Sequence, residues 1–337
     1  MINSNGPTLE EVGAAAGVSR ATVSRVVNRS PKVSPEARAA VEHAIAKLGY
    51  IPNRAARSLV TRRTDTIALV ICEPEERFFA DPFFAAMVRG ISMATADADQ
   101  NLILMIARDP VERKRAEGYL RRGHVDGVVL MSLHGDDPLP RLLRRARVPT
   151  VLVGRPLDRA IVPYVDADNR GGARLAVEHL IERGRRTIAH IAGPQVMCAG
   201  IDRLDGYGDA LAAAGLGRQA ELVEEGNFDE ESGYTAAVRL LERAPGLDAI
   251  FAASDQMAAG AMHALRDAGR SIPADVAVVG FDDAPLAAHT EPALTTVRQP
   301  VDEMTRATAD LLLRRIAGAR GPTHIICPTT LVERDSV

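Results

Sequence analysis

Between Thr8 and Asn28 the apolar residues fall at helical intervals in two short bursts. Leu9, Val12 and Ala16 share one face of a first helix, and Val23, Val26 and Val27 share one face of a second. Thr8 stands three residues before Glu11, the spacing at which a threonine caps a helix and a glutamate reaches back to its amide. Gly17 supplies the permissive backbone of a sharp reversal, and Ser19 can cap the second helix. Ser34, Pro35 and Glu36 then form a cap, a first-turn proline and an early acid. Val41, Ile45 and Leu48 hold one face of a third helix that runs to Gly49. The pattern predicts a small all-α unit over residues 1–50.

From Thr66 the period changes. Short β-rich runs occur at Thr66 to Cys72, Leu102 to Ala107, Gly127 to Met131, Thr150 to Val153, Thr187 to Ala192, Ala249 to Ala253 and Val276 to Gly280, with helical patterns between them. Such alternation predicts an α/β, doubly wound architecture of parallel sheets covered on both faces, with ligands at the carboxyl edges of the strands. Roughly 270 residues is long for one open sheet. Comparable blocks before and after Val165-Asp166 therefore predict two lobes within residues 65–337.

The second helix of the N-terminal unit turns Arg20, Ala21, Thr22, Ser24 and Arg25 away from its valines. A helix of this kind enters a major groove N-terminus first. The guanidinium of Arg20 or Arg25 can bond guanine O6 and N7 together, Ala21 can meet a thymine methyl, and Ser19, Thr22, Ser24 and Asn28 can fix register on phosphates. The same spacing also fits an ordinary helical hairpin with solvated arginines. Asn53 can cap Arg54 to Val60, a run too short to be stable alone, so residues 51–64 are expected to order on binding.

The runs TLEEVGAAAGVSRATVSRVVN, VSPEARAAV and LGYIPNRAARSL resemble the head and hinge of the LacI/GalR family of bacterial transcriptional regulators, and the resemblance extends along the chain. It implies a homodimer on pseudo-palindromic operator DNA, with hinge helices entering the minor groove. Asn53, Arg54, Ala56 and Arg57 then face DNA, and Leu59 wedges into the central base step, unless it is a packing residue of a linker. It also implies a periplasmic-binding-protein-like effector domain, with lobe 1 at about 65–165 and 299–322 and lobe 2 at about 166–298 and 323–337. The last helix, Val301 to Ala317, returns to the first lobe, and His324 to Cys327 closes on the second. By the same resemblance Arg203 and Asp282 bind the effector, Phe228 packs on its ring, and Phe83 and Phe84 line the opposite wall. Ser254 replaces an asparagine that many relatives carry, and Arg155 follows a strand toward the cleft. The effector implied is a sugar. Alternative roles for these residues are a turn at Asp282-Asp283, core packing for the phenylalanines, and surface pairing of Arg203 with Asp202 or Asp205.

Charge sharpens this picture. Residues 1–63 carry ten Lys and Arg against four acids, whereas the 337-residue chain has a net charge of −3. A basic head on an acidic body neutralises phosphates at one end without binding nucleic acid everywhere. No apolar run approaches the roughly 18 residues of a membrane helix, and the N-terminus lacks a basic and apolar leader, so a cytoplasmic protein is expected. Cys72, Cys198 and Cys327 lack the spacing of a zinc site or disulfide framework. There is no GxxxxGK[ST], HExxH or GxSxG, and Gly215 to Ala220 fits GxGxxA only between a helix and a strand, the reverse of the dinucleotide order. A regulator without cofactor, not an enzyme, is expected; a sugar receptor sharing the fold is the alternative.

Overall fold

The computed structural model describes residues 7–28, 30–51, 63–157, 162–319, 321 and 323–337. They form two compact units, divided at Thr64 and Asp65.

The N-terminal unit consists of α1 (Leu9–Ala16), α2 (Arg20–Val27) and α3 (Pro35–Leu48). Thr8 and Glu11 close a reciprocal capping box on α1, Ser19 caps α2, and Ser34 caps α3 with Pro35 in its first turn. Gly17 and Gly49 end α1 and α3 in the left-handed region, at φ 68° and 64°. Val12, Val23, Val26, Val41 and Ala44 form the buried centre. Gly13 adds a constraint the apolar pattern does not carry. A Cβ there would lie 2.9 Å from the Val18 carbonyl oxygen, so the turn can fold back only on a glycine.

The C-terminal unit carries two six-stranded sheets. The first, in spatial order, is β11 (His324–Cys327), β5 (Tyr164–Ala167), β4 (Thr150–Val153), β3 (Gly127–Met131), β1 (Thr66–Ile71) and β2 (Asn101–Ile106), with every pairing parallel. The second is β12 (Thr330–Val332), β10 (Thr295–Arg298), β9 (Ala277–Asp282), β8 (Ala249–Ala252), β6 (Ile188–Ala192) and β7 (Val223–Glu225), parallel except for β12. Successive strand residues point to opposite faces, so each sheet feeds two apolar layers. Leu69, Ile71, Val129 and Val151 pack with Met87 and Ile91 of α5 (Pro82–Ala96), which comes after the short α4 (Glu75–Ala80). Val70, Val128, Leu130 and Leu152 pack with Leu120 of α6 (Pro110–Leu120) and with Leu139 and Leu143 of α7 (Leu139–Arg145). In the second sheet, α8 (Asn169–Glu182) and α9 (Cys198–Ala213) cover one face, and α10 (Glu230–Arg243) and α11 (Asp255–Asp267) the other. The last helix, α12 (Val301–Ile316), packs on α5 and the first sheet.

The chain passes between the sheets three times, after β5, after β10 and after β11. This corrects one expectation: His324–Cys327 belongs to the first lobe. It pairs with β5 from His324↔Tyr164 to Cys327↔Ala167, and only the next strand, β12, closes on the second. The divide accordingly falls after Ala167 rather than at Val165, because Tyr164–Ala167 is itself a first-sheet strand.

Candidate functional site

On the N-terminal unit the Ser19 hydroxyl accepts the Thr22 amide at 3.2 Å, which starts α2 with its arginines outward. Arg20, Ala21 and Arg25 are exposed, with Thr22 and Ser24 half-buried beside them. Arg20 pairs with Glu10 at 3.0 Å, and both side chains are more than half exposed. Such a pair is worth about 0–1 kcal/mol, so a phosphate or a guanine edge can displace the glutamate. Asn28 is the C-cap of α2, and its amide donates to Ser24 Oγ at 3.4 Å, an engagement the sequence did not reveal. Asn53, Arg54, Ala56, Arg57 and Leu59 lie outside the described residues.

In the C-terminal unit a chain of polar contacts runs where the polypeptide crosses between lobes. Asp166, on β5, accepts from Asn169 Nδ2 at 3.0 Å. Asn169 Oδ1 accepts from Arg203 Nε at 2.9 Å. The Arg203 guanidinium donates to the Ala253 carbonyl at 2.5 Å and to Asp282 at 3.4 Å, and its Cζ lies 3.7 Å from the Phe281 ring centre. Asp282, at the end of β9 with φ 117°, also accepts from Gln299 at 2.6 Å. The network therefore begins and ends at two of the three crossings.

Arg203 is only 4% exposed, and acids surround it. Burial pushes the Asp282 carboxyl up to about 7, with Arg203 opposing. Burial raises Asp255 well above the usual carboxylate range, and the Asp282 charge adds to this. The Asp255 carboxylate accepts from the Ala284 amide at 2.7 Å and from the Thr296 hydroxyl. Burial also raises Asp81, and it raises Asp166 to about 7 with the Asp202 charge contributing. The Arg203 guanidinium among several desolvated carboxyls makes a site rich in both donors and acceptors, which suits hydroxyl groups that donate and accept at once.

Asp81, Asp166, Asn169, Arg203, Asp282 and Gln299 line a cavity of about 100 Å³, with Phe83, Phe84 and Met304 on the first-lobe side and Met197 and Phe228 on the second. Gly193 makes room for Phe228, because a Cβ there would lie 2.2 Å from the ring. A larger chamber of about 540 Å³ adjoins it and shares Arg77, Asp81 and Phe228 in its wall. Arg77 reaches from the first lobe to 5.3 Å from the Phe228 ring centre. Glu73, buried, holds Arg77 at 3.0 Å, His134 at 2.9 Å and the Ser132 hydroxyl. Burial opposes the Glu73 charge, yet these partners hold its carboxyl below the usual range.

The structure brings Phe83, Phe84, Arg203, Phe228 and Asp282 around one cavity. It does not bring Ser254 or Arg155 there. The Ser254 hydroxyl is spent as the N-cap of α11, accepting the Met257 amide at 3.2 Å, and Arg155 reaches across the lobes to an ion pair with Asp202. Asp81, Asp166, Asn169, Arg77 and Gln299 are additional lining residues. Asp81-Pro82 shows in sequence as a helix cap, but nothing local marks it as a cavity wall. The three cysteines are free and buried, and among the described residues no group of three His, Cys, Asp or Glu is placed to hold a metal. Nor is any described helix long and apolar enough to cross a membrane.

Residues 8–53 match the family model for bacterial regulatory proteins of the lacI family, and residues 177–337 that of a periplasmic binding protein-like domain. The chain is 52% identical over 333 residues to the HTH-type transcriptional regulator CelR of Thermobifida fusca, covering 98% of each protein. Among solved structures it is similar to a transcriptional regulator CelR–cellobiose complex, with a TM-score of 0.80 and 50% identity over 98% of this chain and 100% of that one. It is also similar to the lac repressor dimer bound to operator and the anti-inducer ONPF, with a TM-score of 0.85 and 29% identity over 98% and 99% of the two chains.

Proposed function

This chain belongs to the LacI family of bacterial regulatory proteins, and from that premise we propose a cytoplasmic homodimeric repressor whose hold on operator DNA is controlled by a sugar bound between its lobes. Residues 1–50 read the half-sites of a pseudo-palindrome, residues 51–64 act as the hinge, and residues 65–337 bind effector and dimerise. Arg20 and Arg25 contact base edges, Ala21 a thymine methyl, and Ser19, Thr22 and Ser24 the backbone. Asn53, Arg54, Ala56, Arg57 and Leu59 work from the hinge. Its task is regulation rather than turnover.

The observation that carries the effector reading is the hydrogen-bonded chain from Asp166 through Asn169, Arg203 and Asp282 to Gln299, which ties the cavity to two lobe crossings. A ligand that replaces any of these bonds favours one arrangement of the lobes over another. It shifts operator affinity by its differential affinity for the two arrangements and no more. Cellobiose, the ligand named for the 50% identical neighbour, is the first candidate. Release of DNA is the expected response.

The test is selection of bound duplexes from a random pool by the purified full-length protein, with and without cellobiose. An enriched pseudo-palindrome whose recovery falls with cellobiose supports the reading. Equal enrichment in both arms removes cellobiose as the effector, and no enrichment in either removes the repressor.

A further inference from the structure

Where parallel strands are joined through helices, each helix ends at the edge where the next strand begins. At that edge of the first sheet the Asn101 amide donates to the Asp65 carbonyl at 2.8 Å, the Asp126 amide to the Thr66 carbonyl at 2.8 Å, and the Val128 amide to the Pro149 carbonyl at 2.9 Å. The turn after α6 leads into β3 and the turn after α7 into its neighbour β4, so the two turns lie together. The chain from residues 1–64 enters the unit at the same edge, at Asp65.

These two turns are rich in arginine although the unit as a whole is acidic. Residues 64–337 hold 31 of the chain's 41 Lys and Arg and 40 of its 44 acids. Arg121, Arg122, Arg144, Arg145 and Arg147 are nevertheless all exposed here. Arg121 pairs with Glu117 at 2.8 Å, whereas among the described residues the side chains of the other four have no acid partner. Asp126, on the turn into β3, accepts the Asp65 amide at 2.9 Å, and Asp97 and Asp99 precede β2, two strands away from β3. Basic residues in a last helical turn offset the helix dipole, which accounts for Arg144 and Arg145. It does not account for Arg122 and Arg147, which stand beyond the helix ends. Arg147 stops α7 at φ 58°, a left-handed conformation that favours glycine, as Gly123 provides after α6 at φ 76°. A helix stop alone does not call for a guanidinium.

We propose that this edge of the first lobe is a second DNA contact, at which Arg122, Arg144, Arg145 and Arg147 hold phosphates of the duplex that the head is reading. This rests on the operator-binding reading above. A duplex is favoured over an acidic protein surface because the head brings one here. Residues 51–64 join the two units, so a duplex held by residues 1–50 is tethered to Asp65 by at most about 50 Å of chain, the length of about 15 base pairs. A guanidinium on a phosphate makes charge-assisted bonds and releases counterions from the duplex. The edge therefore adds affinity and salt dependence and reads no base.

The test is anisotropy of a fluorescent duplex bound by the full-length protein over a range of salt. It compares the native protein, Arg122→Gln with Arg147→Gln, and Lys114→Gln with Arg115→Gln. The last pair removes the same charge from exposed residues of α6 that lie about 8–9 Å short of its end at this edge. All four residues are exposed, so both variants should unfold in urea together with the native protein. Each phosphate contact contributes about 0.9 to the slope of log K against log salt. Two arginines from each subunit of a dimer should make the slope of the edge variant shallower by about 2–4, and that of the α6 variant by less than about 1. At about 0.15 M salt the edge variant should bind at least about tenfold more weakly, by the same factor on the selected site and on that site with one base pair changed. A native slope in the edge variant would overturn the contact and leave these arginines to an acidic protein surface. Equal falls in both variants would overturn it in favour of a general attraction of the unit for DNA. A duplex of unrelated sequence should show the same fall, so the absence of any selected site, which removes the operator reading, still leaves the edge tested.

Discussion

The charge balance at Arg203 can be tested by removing the two partners singly and together. Arg203 and Asp282 lie 3.4 Å apart, with side chains 5% and 15% exposed. At an effective dielectric constant of about 20 their gross attraction is about 5 kcal/mol. Much of this is offset by the cost of taking both groups out of water, but breaking the pair from one side leaves an uncompensated buried charge, typically about 3–5 kcal/mol. Arg203→Met also strips a donor from the Ala253 carbonyl and from Asn169. We therefore expect Arg203→Met to lose about 3–5 kcal/mol, a large part of the stability of an ordinary domain. Asp282→Asn added to it removes the stranded charge while keeping an acceptor for Gln299. The double variant is expected to recover more than half of the loss, a coupling of about 2–3 kcal/mol. The penalty of Arg203→Met should be smaller at pH 6 than at pH 8, because burial already places the Asp282 carboxyl near 7 and loss of the cation moves it higher. Urea unfolding followed by circular dichroism at both pH values reads every arm. Additive losses, or a penalty independent of pH, would refute the assignment of Arg203 as the counter-charge of Asp282.

Asp166→Asn should flatten the pH dependence of stability. Burial raises the Asp166 carboxyl from 3.8 to about 7, so between those values the folded state keeps a proton the unfolded chain has released, and native stability falls as pH rises. The variant escapes that loss, gaining on the native protein by up to about 4 kcal/mol toward pH 8, and equal slopes in urea unfolding would contradict this. Arg25→Ala should cost about 1–3 kcal/mol at one base position of each half-site, read from binding to a panel of singly substituted duplexes; a uniform loss would make it a phosphate contact. Gly193→Ala should push Phe228 out of its seat and lower stability by about 1–3 kcal/mol together with effector affinity, and unchanged calorimetric binding would show that Phe228 does not form the wall. Arg155→Gln should weaken the inter-lobe closure made with Asp202, so small-angle scattering of the effector-bound form should report a larger radius of gyration than the native protein; identical curves would remove the closure role.

What was legible in the sequence was local. The caps at Thr8, Ser19 and Ser34 and the glycines at 17 and 49 stood where the structure has them, because a cap is decided within four residues. Strands written as continuous apolar runs were legible for the same reason. Tyr164–Ala167 was not: it is four residues long and carries a buried aspartate that is bonded to Asn169 and the Ala167 amide. The lobe of His324–Cys327 was missed because an edge strand's partner is chosen by contacts some 160 residues away, here the ladder to Tyr164. The roles suggested for Ser254 and Arg155 failed to bring them to the cavity for a different reason. Each found a nearer use, one as a helix cap and one as a partner for Asp202. Asp81, Asn169 and Gln299 were invisible as site residues because the cavity they line takes its walls from both lobes, which no local pattern records.

The central claim, that a sugar between the lobes controls the head's grip on DNA, is tested most directly by anisotropy of a fluorescent duplex carrying the selected site, bound by the full-length protein and titrated with cellobiose. Coupling of the cleft to the head should give a saturable fall in anisotropy toward that of free duplex, and no fall when the double variant of Arg203 and Asp282 replaces the native protein. Anisotropy that stays constant to saturation, while calorimetry shows the sugar bound, would mean that the cleft and the head are not coupled.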